Sequence, residues 1–364
     1  MNKSEIKIYF FFTIISFGFV VVTTDFLSLF DIIHLANQMD AISYTEIAKN
    51  SPYFPNNSEI VIKHVGQRFL VPYLVGLMAN FLSIDLFFVF KIFTFLIIFI
   101  YIFLITVICQ KFNFNLRISI LFFSILFFNP YIIRYSIFNP VQAHDMIFFC
   151  LGLIFSISVI YKNFLNNFFT TIFSIYLRQT SIALFIGSSL FLIFNKKFKL
   201  LLYLFFFYFL FLFITIKAGD YISIHSFPIN LAYGIIFYDF SQIEKLLKFL
   251  LLGIIPFFPL GIILFGKINK NINISTILIL FFVSCMMIGQ PILGGPDGST
   301  NNVGRIANLA YPIITVMTFY IWNFEKMVKN NYLFYFLILI LFIWSLHPTY
   351  SVLKLFSYFR FYNF

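Results

Sequence analysis

Charged residues are scarce in this chain. They make up 10% of the 364 residues, whereas 61% are hydrophobic and the mean hydropathy is +0.97. A soluble domain would need far more charge to cover its core. The composition therefore excludes a single soluble core and predicts a polytopic membrane protein. We expect an all-α transmembrane fold, one domain over residues 1–364, in the bacterial inner (cytoplasmic) membrane.

Cysteine and acidic residues are also few. Cys109, Cys150 and Cys285 are isolated within or beside apolar runs and lack metal-ligand spacing, so we interpret them as packing residues. The net charge is +11, but the basic residues are scattered between apolar runs and form no stripe. We expect no nucleic-acid partner, and loop charges that set membrane topology explain the excess.

The first apolar run fixes the predicted orientation. It extends from Ile8 to Thr24, has no small-x-small cleavage site and is long enough to span, so we expect a retained helix rather than a signal peptide. Lys3 and Lys7 precede this run and place the N-terminus inside.

Later apolar runs predict about eleven spans with the C-terminus outside. The second would cover Asp85 to Cys109, the fourth would begin near His144, and the sixth would cover Thr180 to Phe194. In this register the compact basic loops lie inside, as the positive-inside tendency requires. The run from Arg68 to Leu82 is short, so we expect an interfacial or re-entrant helix. If this run were a full span instead, every later loop would be predicted on the opposite side of the membrane.

The longest polar segment follows the first span and covers residues 31–74. A structural connector needs only a few residues, so we expect chemistry here. Most acids in the chain fall on the outer face in the same register, which predicts an outward-facing polar site. They are Asp31, Asp40, Glu46, Glu59, Asp85, Asp145, Asp220, Asp239, Glu244 and Asp297.

Two pairs of residues in or near this segment have helical spacing. Asp40 and Tyr44 in DAISYTEIA would share one helix face, although Asp40 could instead cap an exposed interfacial helix. His64 and Arg68 in HVGQRFLVPYL enter an apolar run, where an Arg can fork onto two phosphate oxygens and a His can donate or shuttle a proton. Snorkelling of Arg68 to the interface is the alternative.

Further ionisable residues stand at the ends of later spans. Arg134, then His144 and Asp145, lie between the third and fourth spans, and Arg178 interrupts two short apolar halves. Placing an ionisable residue in a membrane costs free energy, so such a residue indicates function. Asp145 could instead be an acid that only complements the dipole at the N-terminus of its helix. Arg305 follows a Gly-rich loop. This loop matches no phosphate-binding motif, so we interpret it as a connector.

The order of these parts resembles the GT-C superfamily of integral-membrane glycosyltransferases, which use polyprenyl-phosphate sugars. The resemblance is carried by four stretches over roughly residues 8–200, whereas residues 201–364 share only the architecture of additional transmembrane helices. The stretches are DAISYTEIA, HVGQRFLVPYL, FNPVQAHDMIFFCLGLIF and LRQTSIALF.

The resemblance implies transfer of a sugar to a lipid or glycan acceptor. Asp40 would match the family's first acid, as a general base, and Asp145 its second acidic position. Arg68, Arg178 and Arg305 would face the lipid-linked phosphate. Other candidate substrate-binding residues are Tyr44, His64, Arg134 and His144.

The resemblance to GT-C glycosyltransferases also leads to expectations about cofactors and partners. Asp40 and Asp145 are not adjacent in sequence, so we expect no cofactor, with a divalent metal as the alternative. The expected partners are the polyprenyl-phosphate-linked sugar, its acceptor and membrane lipids. Three alternatives stay open. They are a lipid-linked oligosaccharide polymerase or ligase, a transporter of a small or lipid-linked solute, and a noncatalytic scaffold or degenerate transferase.

Overall fold

The computed structural model describes residues 39–225, 253–270, 272–293 and 306–345, with residues 7, 9–15, 17 and 18. These residues are mostly helical. The α-helices are α1 Met39–Asn50, α2 Lys63–Gly66, α3 Leu70–Leu82, α4 Leu86–Lys111, α5 Leu116–Phe127, α6 Tyr135–Phe138, α7 Ala143–Ile160, α8 Phe164–Ser174, α9 Ser181–Phe194, α10 Phe198–Ile222, α11 Ile274–Leu293, α12 Tyr311–Ile321, α13 Glu325–Lys329 and α14 Asn331–Ser345.

Tighter or wider helical turns and one small sheet connect these helices. Pro130–Arg134 is a π-helical turn, and the 3-10 helices are Pro140–Gln142, Ile255–Phe265 and Asn308–Ala310. The two strands are β1 Lys267–Ile268 and β2 Trp322–Asn323, which pair antiparallel.

Several helices could cross a membrane. Among the described residues, Leu86–Lys111, Pro140–Ile160 and Phe198–Ile222 are long and apolar enough, and a fourth span results if Leu116–Phe127 and Pro130–Ile137, bent by 44°, count as one. The predicted class, a helical protein with apolar helices suited to a membrane, is confirmed at this level. The figure of about eleven spans stays a prediction.

The predicted helix boundaries agree with the structure where they can be compared. The helix expected from Asp85 begins at Leu86, and the one expected over Thr180 to Phe194 is α9. The 14 residues of α9 are fewer than a full span needs, so its crossing of the membrane stays a prediction. The run from Arg68 to Leu82 yields α3, whose 13 residues are fewer than the approximately 20 that a span needs. This length agrees with an interfacial or re-entrant helix.

The chain divides into two compact units of discontinuous segments. Residues 16–104 and 136–227 form what we call the loop unit, and residues 1–15, 105–135 and 228–364 form the terminal unit. In the terminal unit, buried polar groups tie α5 and the segment after it to later helices. Asn129 donates from Nδ2 to Asn308 Oδ1 at 3.0 Å, and the Tyr311 hydroxyl donates to the carbonyl of Ile125 at 3.1 Å.

In the loop unit, the polar segment folds onto α3 and the end of α10. Ile47 of α1, Val61 and Ile222 form a buried apolar cluster. The backbone N–H groups of Asn57 and Ser58 donate to the carbonyls of Tyr221 and Ile222, at 3.0 and 2.8 Å. These bonds fasten the loop that precedes Arg68 to the C-terminal end of α10.

Candidate active site

Seven of the nine predicted site residues belong to the loop unit, where polar contacts join them into one cluster with Gln179 as an additional link. We call this set the polar cluster. It consists of Asp40, Tyr44, His64, Arg68, His144, Asp145, Arg178 and Gln179.

Helix α1 supplies Asp40 and Tyr44. Ala41 and Ala48 favour a helix, and Asp40 in the first turn and Lys49 in the last turn complement the helix dipole. Tyr44 is fully buried, whereas Asp40 is half-buried one turn before it. The predicted helix is therefore present, and it carries one buried and one accessible polar group into the cluster.

Asp40 lies near His64, the second residue of α2. Its Oδ1 atom is 3.7 Å from His64 Nε2, and the two side chains are 23% and 27% exposed. This separation is longer than a hydrogen bond, so the carboxylate and the imidazole are neighbours at the rim of the cluster. Both groups are open enough to meet a bound molecule.

Arg68 lies between α2 and α3 with only 7% of its surface exposed. Its Nε donates to Gln179 Oε1 at 2.9 Å, its Nη2 donates to the same oxygen, and its Nη1 donates to the Tyr44 hydroxyl at 3.1 Å. All three bonds go to neutral groups. Among the residues that the structure describes, no carboxylate lies within ion-pair distance of this guanidinium.

The Tyr44 hydroxyl connects Arg68 to His144. Its oxygen accepts from Arg68 Nη1 and lies at a hydrogen-bond distance of 3.1 Å from His144 Nε2, where the tautomer of the imidazole decides which group donates. Burial raises the pKa of Tyr44, and the positive charge of Arg68 opposes that rise. The hydroxyl therefore stays protonated near neutral pH and acts as a neutral hydrogen-bonding group.

Asp145, in the first turn of α7, is paired with Arg178. The carboxylate is 1% exposed, and its Oδ1 accepts from both Nε and Nη2 of Arg178, with His144 Nε2 at 3.2 Å from the same oxygen. Arg178 lies at the predicted break between α8 and α9, where its carbonyl accepts from the backbone N–H of Ser181. These two residues form a buried ion pair that joins α7 to the break.

The other two predicted site residues lie elsewhere. Arg134 belongs to the terminal unit, where its Nη1 donates to the carbonyl of Ser345 at 3.0 Å. Arg305 lies outside the described residues. A substrate role for either one stays a prediction.

Gln179 was missed at the level of sequence. In the stretch LRQTSIALF the sequence indicates only the Arg, because an uncharged amide beside it gives no signal by itself. In the structure Gln179 also donates from Nε2 to the carbonyl of His64 at 2.9 Å and to Gln67 Oε1 at 3.0 Å. A polar amide at the break of an apolar span could have pointed to it.

A metal ion would need several His, Cys, Asp or Glu side chains close together. Within the part of the chain that the structure describes, no three His, Cys, Asp or Glu side chains are placed to hold a metal ion together. The expectation of a cofactor-free site stays a prediction.

No protein-family model, no curated protein and no solved structure matches this chain. The similarity to GT-C glycosyltransferases thus rests on the order of the sequence motifs and enters only as a hypothesis about function.

Proposed function

We propose that this protein is an integral-membrane glycosyltransferase that moves a sugar from a polyprenyl phosphate to a lipid or glycan acceptor at the outer face of the bacterial inner membrane. One observation carries the proposal. It is the buried Arg68 guanidinium, whose hydrogen-bond partners in the polar cluster are the neutral Gln179 and Tyr44.

A buried cation is costly unless an anion accompanies it. Arg178 has such an anion in Asp145, whereas Arg68 has two neutral partners. A guanidinium also offers five N–H donors in a planar fork, and the three bonds of Arg68 leave two for another group. A phosphate brings both the missing charge and the matching acceptors.

Asp40 supplies the second half of the proposed chemistry. Its carboxylate would accept the proton of the acceptor hydroxyl as that oxygen bonds to the anomeric carbon of the sugar. The bond from this carbon to the phosphate oxygen would break, and the polyprenyl phosphate would leave with its new charge beside Arg68. Partial exposure of Asp40 supports this role, because the acceptor must reach the base.

Asp145 suits a different role. Its carboxylate is almost completely buried and two nitrogens of Arg178 donate to it, so an acceptor hydroxyl would find neither access nor a free lone pair on Oδ1. We therefore propose that Asp145 and Arg178 hold the cluster together.

The finer topology also belongs to the proposal: about eleven spans, the N-terminus inside, and residues 31–68 outside.

The experiment is a transfer assay without any gradient. Purified protein in detergent receives a radiolabelled polyprenyl-phosphate sugar and a cellular lipid or glycan extract, and we expect a labelled product. Asp40→Asn should lower the rate by about 10²-fold to 10⁴-fold, because it removes a general base and keeps the volume. Glu59→Gln is the matched control, since Glu59 is an exposed acid of the same loop, and it should stay active.

The assay also tests the alternatives. If Asp40→Asn retains more than about a tenth of wild-type activity, well above the loss expected for a missing base, Asp40 is not the base. The buried pair of Asp145 and Arg178 is the observation that favours a transporter, because paired ionisable groups in membrane segments often mark solute pathways. Gradient-driven uptake by proteoliposomes, with no transfer product, would favour that alternative.

A further inference from the structure

The side chain of Gln179 has complete hydrogen bonding. Its Oε1 accepts from Nε and Nη2 of Arg68, and its Nε2 donates to the carbonyl of His64 and to Gln67 Oε1. Two accepted and two donated bonds match the capacity of a primary amide when each N–H is used once. The side chain is therefore fixed in position by its neighbours.

The chemistry of these neighbours also fixes which end of the amide faces Arg68. A guanidinium only donates and a backbone carbonyl only accepts, so the oxygen must face Arg68 and the nitrogen must face His64. A reversed amide would oppose donor to donor and acceptor to acceptor.

The fork of an Arg that uses Nε and Nη2 together typically meets a carboxylate in proteins. Here the same two nitrogens meet a single neutral oxygen. Glutamate has nearly the same size as glutamine and would satisfy both donors, but it would also cancel the charge of Arg68. The amide holds the guanidinium in place and leaves its full positive charge for another anion.

We propose that Gln179 is the positioning residue of the phosphate site: it aims Arg68 at the phosphate of the lipid-linked donor and, being neutral, keeps that cation uncompensated. This inference rests on the proposed function, because it assumes that the anion at Arg68 is a prenyl phosphate. It adds a requirement that the sequence motifs do not contain, namely that residue 179 must be uncharged.

The test measures binding rather than turnover. Tritiated farnesyl phosphate and farnesol are titrated against the full-length protein in lipid nanodiscs, and the ratio of the two affinities gives the preference for the phosphate. Wild type should prefer farnesyl phosphate by about 10-fold to 100-fold, which is the range for hydrogen bonds to a charged group. Farnesol binding serves in every variant as the measure of an intact fold.

Two substitutions separate charge from position. Gln179→Glu keeps both bonds to Arg68 but supplies a counter-ion, so the preference for farnesyl phosphate should disappear. Gln179→Met loses those bonds but leaves the charge of Arg68 uncompensated, so part of the preference should survive. A merely structural role predicts the reverse order, because Gln179→Glu loses only the two bonds that Nε2 donates, whereas Gln179→Met loses all four bonds of the amide.

Each outcome decides one question. If wild type binds farnesyl phosphate no better than farnesol, the phosphate site of the proposed function is wrong. If wild type discriminates and Gln179→Glu discriminates equally, only the role of Gln179 is overturned. Should Gln179→Glu bind neither ligand, Gln179→Met decides: complete loss of preference in a variant that still binds farnesol would overturn the inference.

Discussion

Two carboxylates of the loop unit differ in their surroundings, and this difference separates their roles. Asp40 is half-buried at the rim, 3.7 Å from His64, whereas Asp145 is buried and paired with Arg178. Sequence spacing offers no means of distinguishing them, because both open a helix after a polar stretch. Burial and the proximity of Arg178 distinguish them in the structure.

The buried pair leads to a prediction about stability. Asp145→Asn leaves the buried Arg178 without its counter-ion, and breaking such a pair by removing one partner costs about 3–5 kcal/mol. We expect most of the folded protein to be lost, seen as a lower thermal midpoint and less monodisperse material in size-exclusion chromatography. Asp40→Asn, which changes a half-buried acid at the rim, should leave both measures near wild type.

A double substitution distinguishes a structural pair from a catalytic one. Replacing a buried ion pair by apolar residues of similar volume is often neutral for stability, so Asp145→Leu with Arg178→Met should recover much of the stability that Asp145→Asn loses. We expect transfer activity to recover with it. A stable double variant without activity would instead place the pair in the chemistry.

At the scale of elements, α1 and α3 approach closely at Gly76. A Cβ atom at this position would lie 2.7 Å from the carbonyl carbon and 2.8 Å from Cα of Ala48, and it would also meet the oxygen of that carbonyl. These are backbone atoms of α1, so the helix itself would have to move. Gly76 thereby sets the position of the helix that carries Asp40 and Tyr44.

We expect Gly76→Ala to lower the free energy of unfolding by about 1–3 kcal/mol, the usual cost of overpacking, and to lower transfer activity by displacing α1. Thermal unfolding in detergent and the transfer assay measure the two effects. Gly289→Ala in α11 is the matched control, because a Cβ there meets no described atom within 4 Å, and alanine favours a helix over glycine. Equal effects of both variants would contradict this account.

Sequence patterns predicted the elements better than their contacts. The apolar runs and their polar breaks gave the start of α4, the short α3 and the break at Arg178 to within a few residues. Gln179 could not be predicted, because its role depends on the approach of a segment 111 residues earlier in the chain. Only the folded chain reveals a contact at such sequence separation.

At the scale of the whole molecule, α10 relates the loop to the membrane. Its 25 residues span about 37 Å at the usual rise per residue, which exceeds the hydrocarbon core of about 30 Å. Asn57 and Ser58 are bonded to its C-terminal end, and Gly66 approaches Gly219 near the same end. The basic residues from Lys196 to Lys199 are at its opposite end.

The predicted topology can therefore be tested at the two ends of one helix. Asn56 and Lys199 are exposed, so cysteine at either position is accessible to a reagent on its own side. Cys109 and Cys150 are buried, and Cys285→Ser removes the exposed native thiol. In intact spheroplasts we expect an impermeant maleimide to label Asn56→Cys and to spare Lys199→Cys until the membrane is permeabilised.

The physical reason for this pattern is that positive residues are retained on the cytoplasmic side, which places the four-residue basic segment inside and the other end of α10 outside. Labelling of Lys199→Cys alone in intact spheroplasts would invert the topology and move the polar cluster to the cytoplasmic face, where a donor in the outer leaflet could not reach Arg68. Labelling of both positions would show that α10 does not cross the membrane. The inverted pattern would contradict the proposed transfer at the outer face, because that reaction requires Arg68 and Asp40 on the side where the lipid-linked sugar is presented. Labelling of both positions would leave the loop outside and would contradict only the predicted crossing of α10.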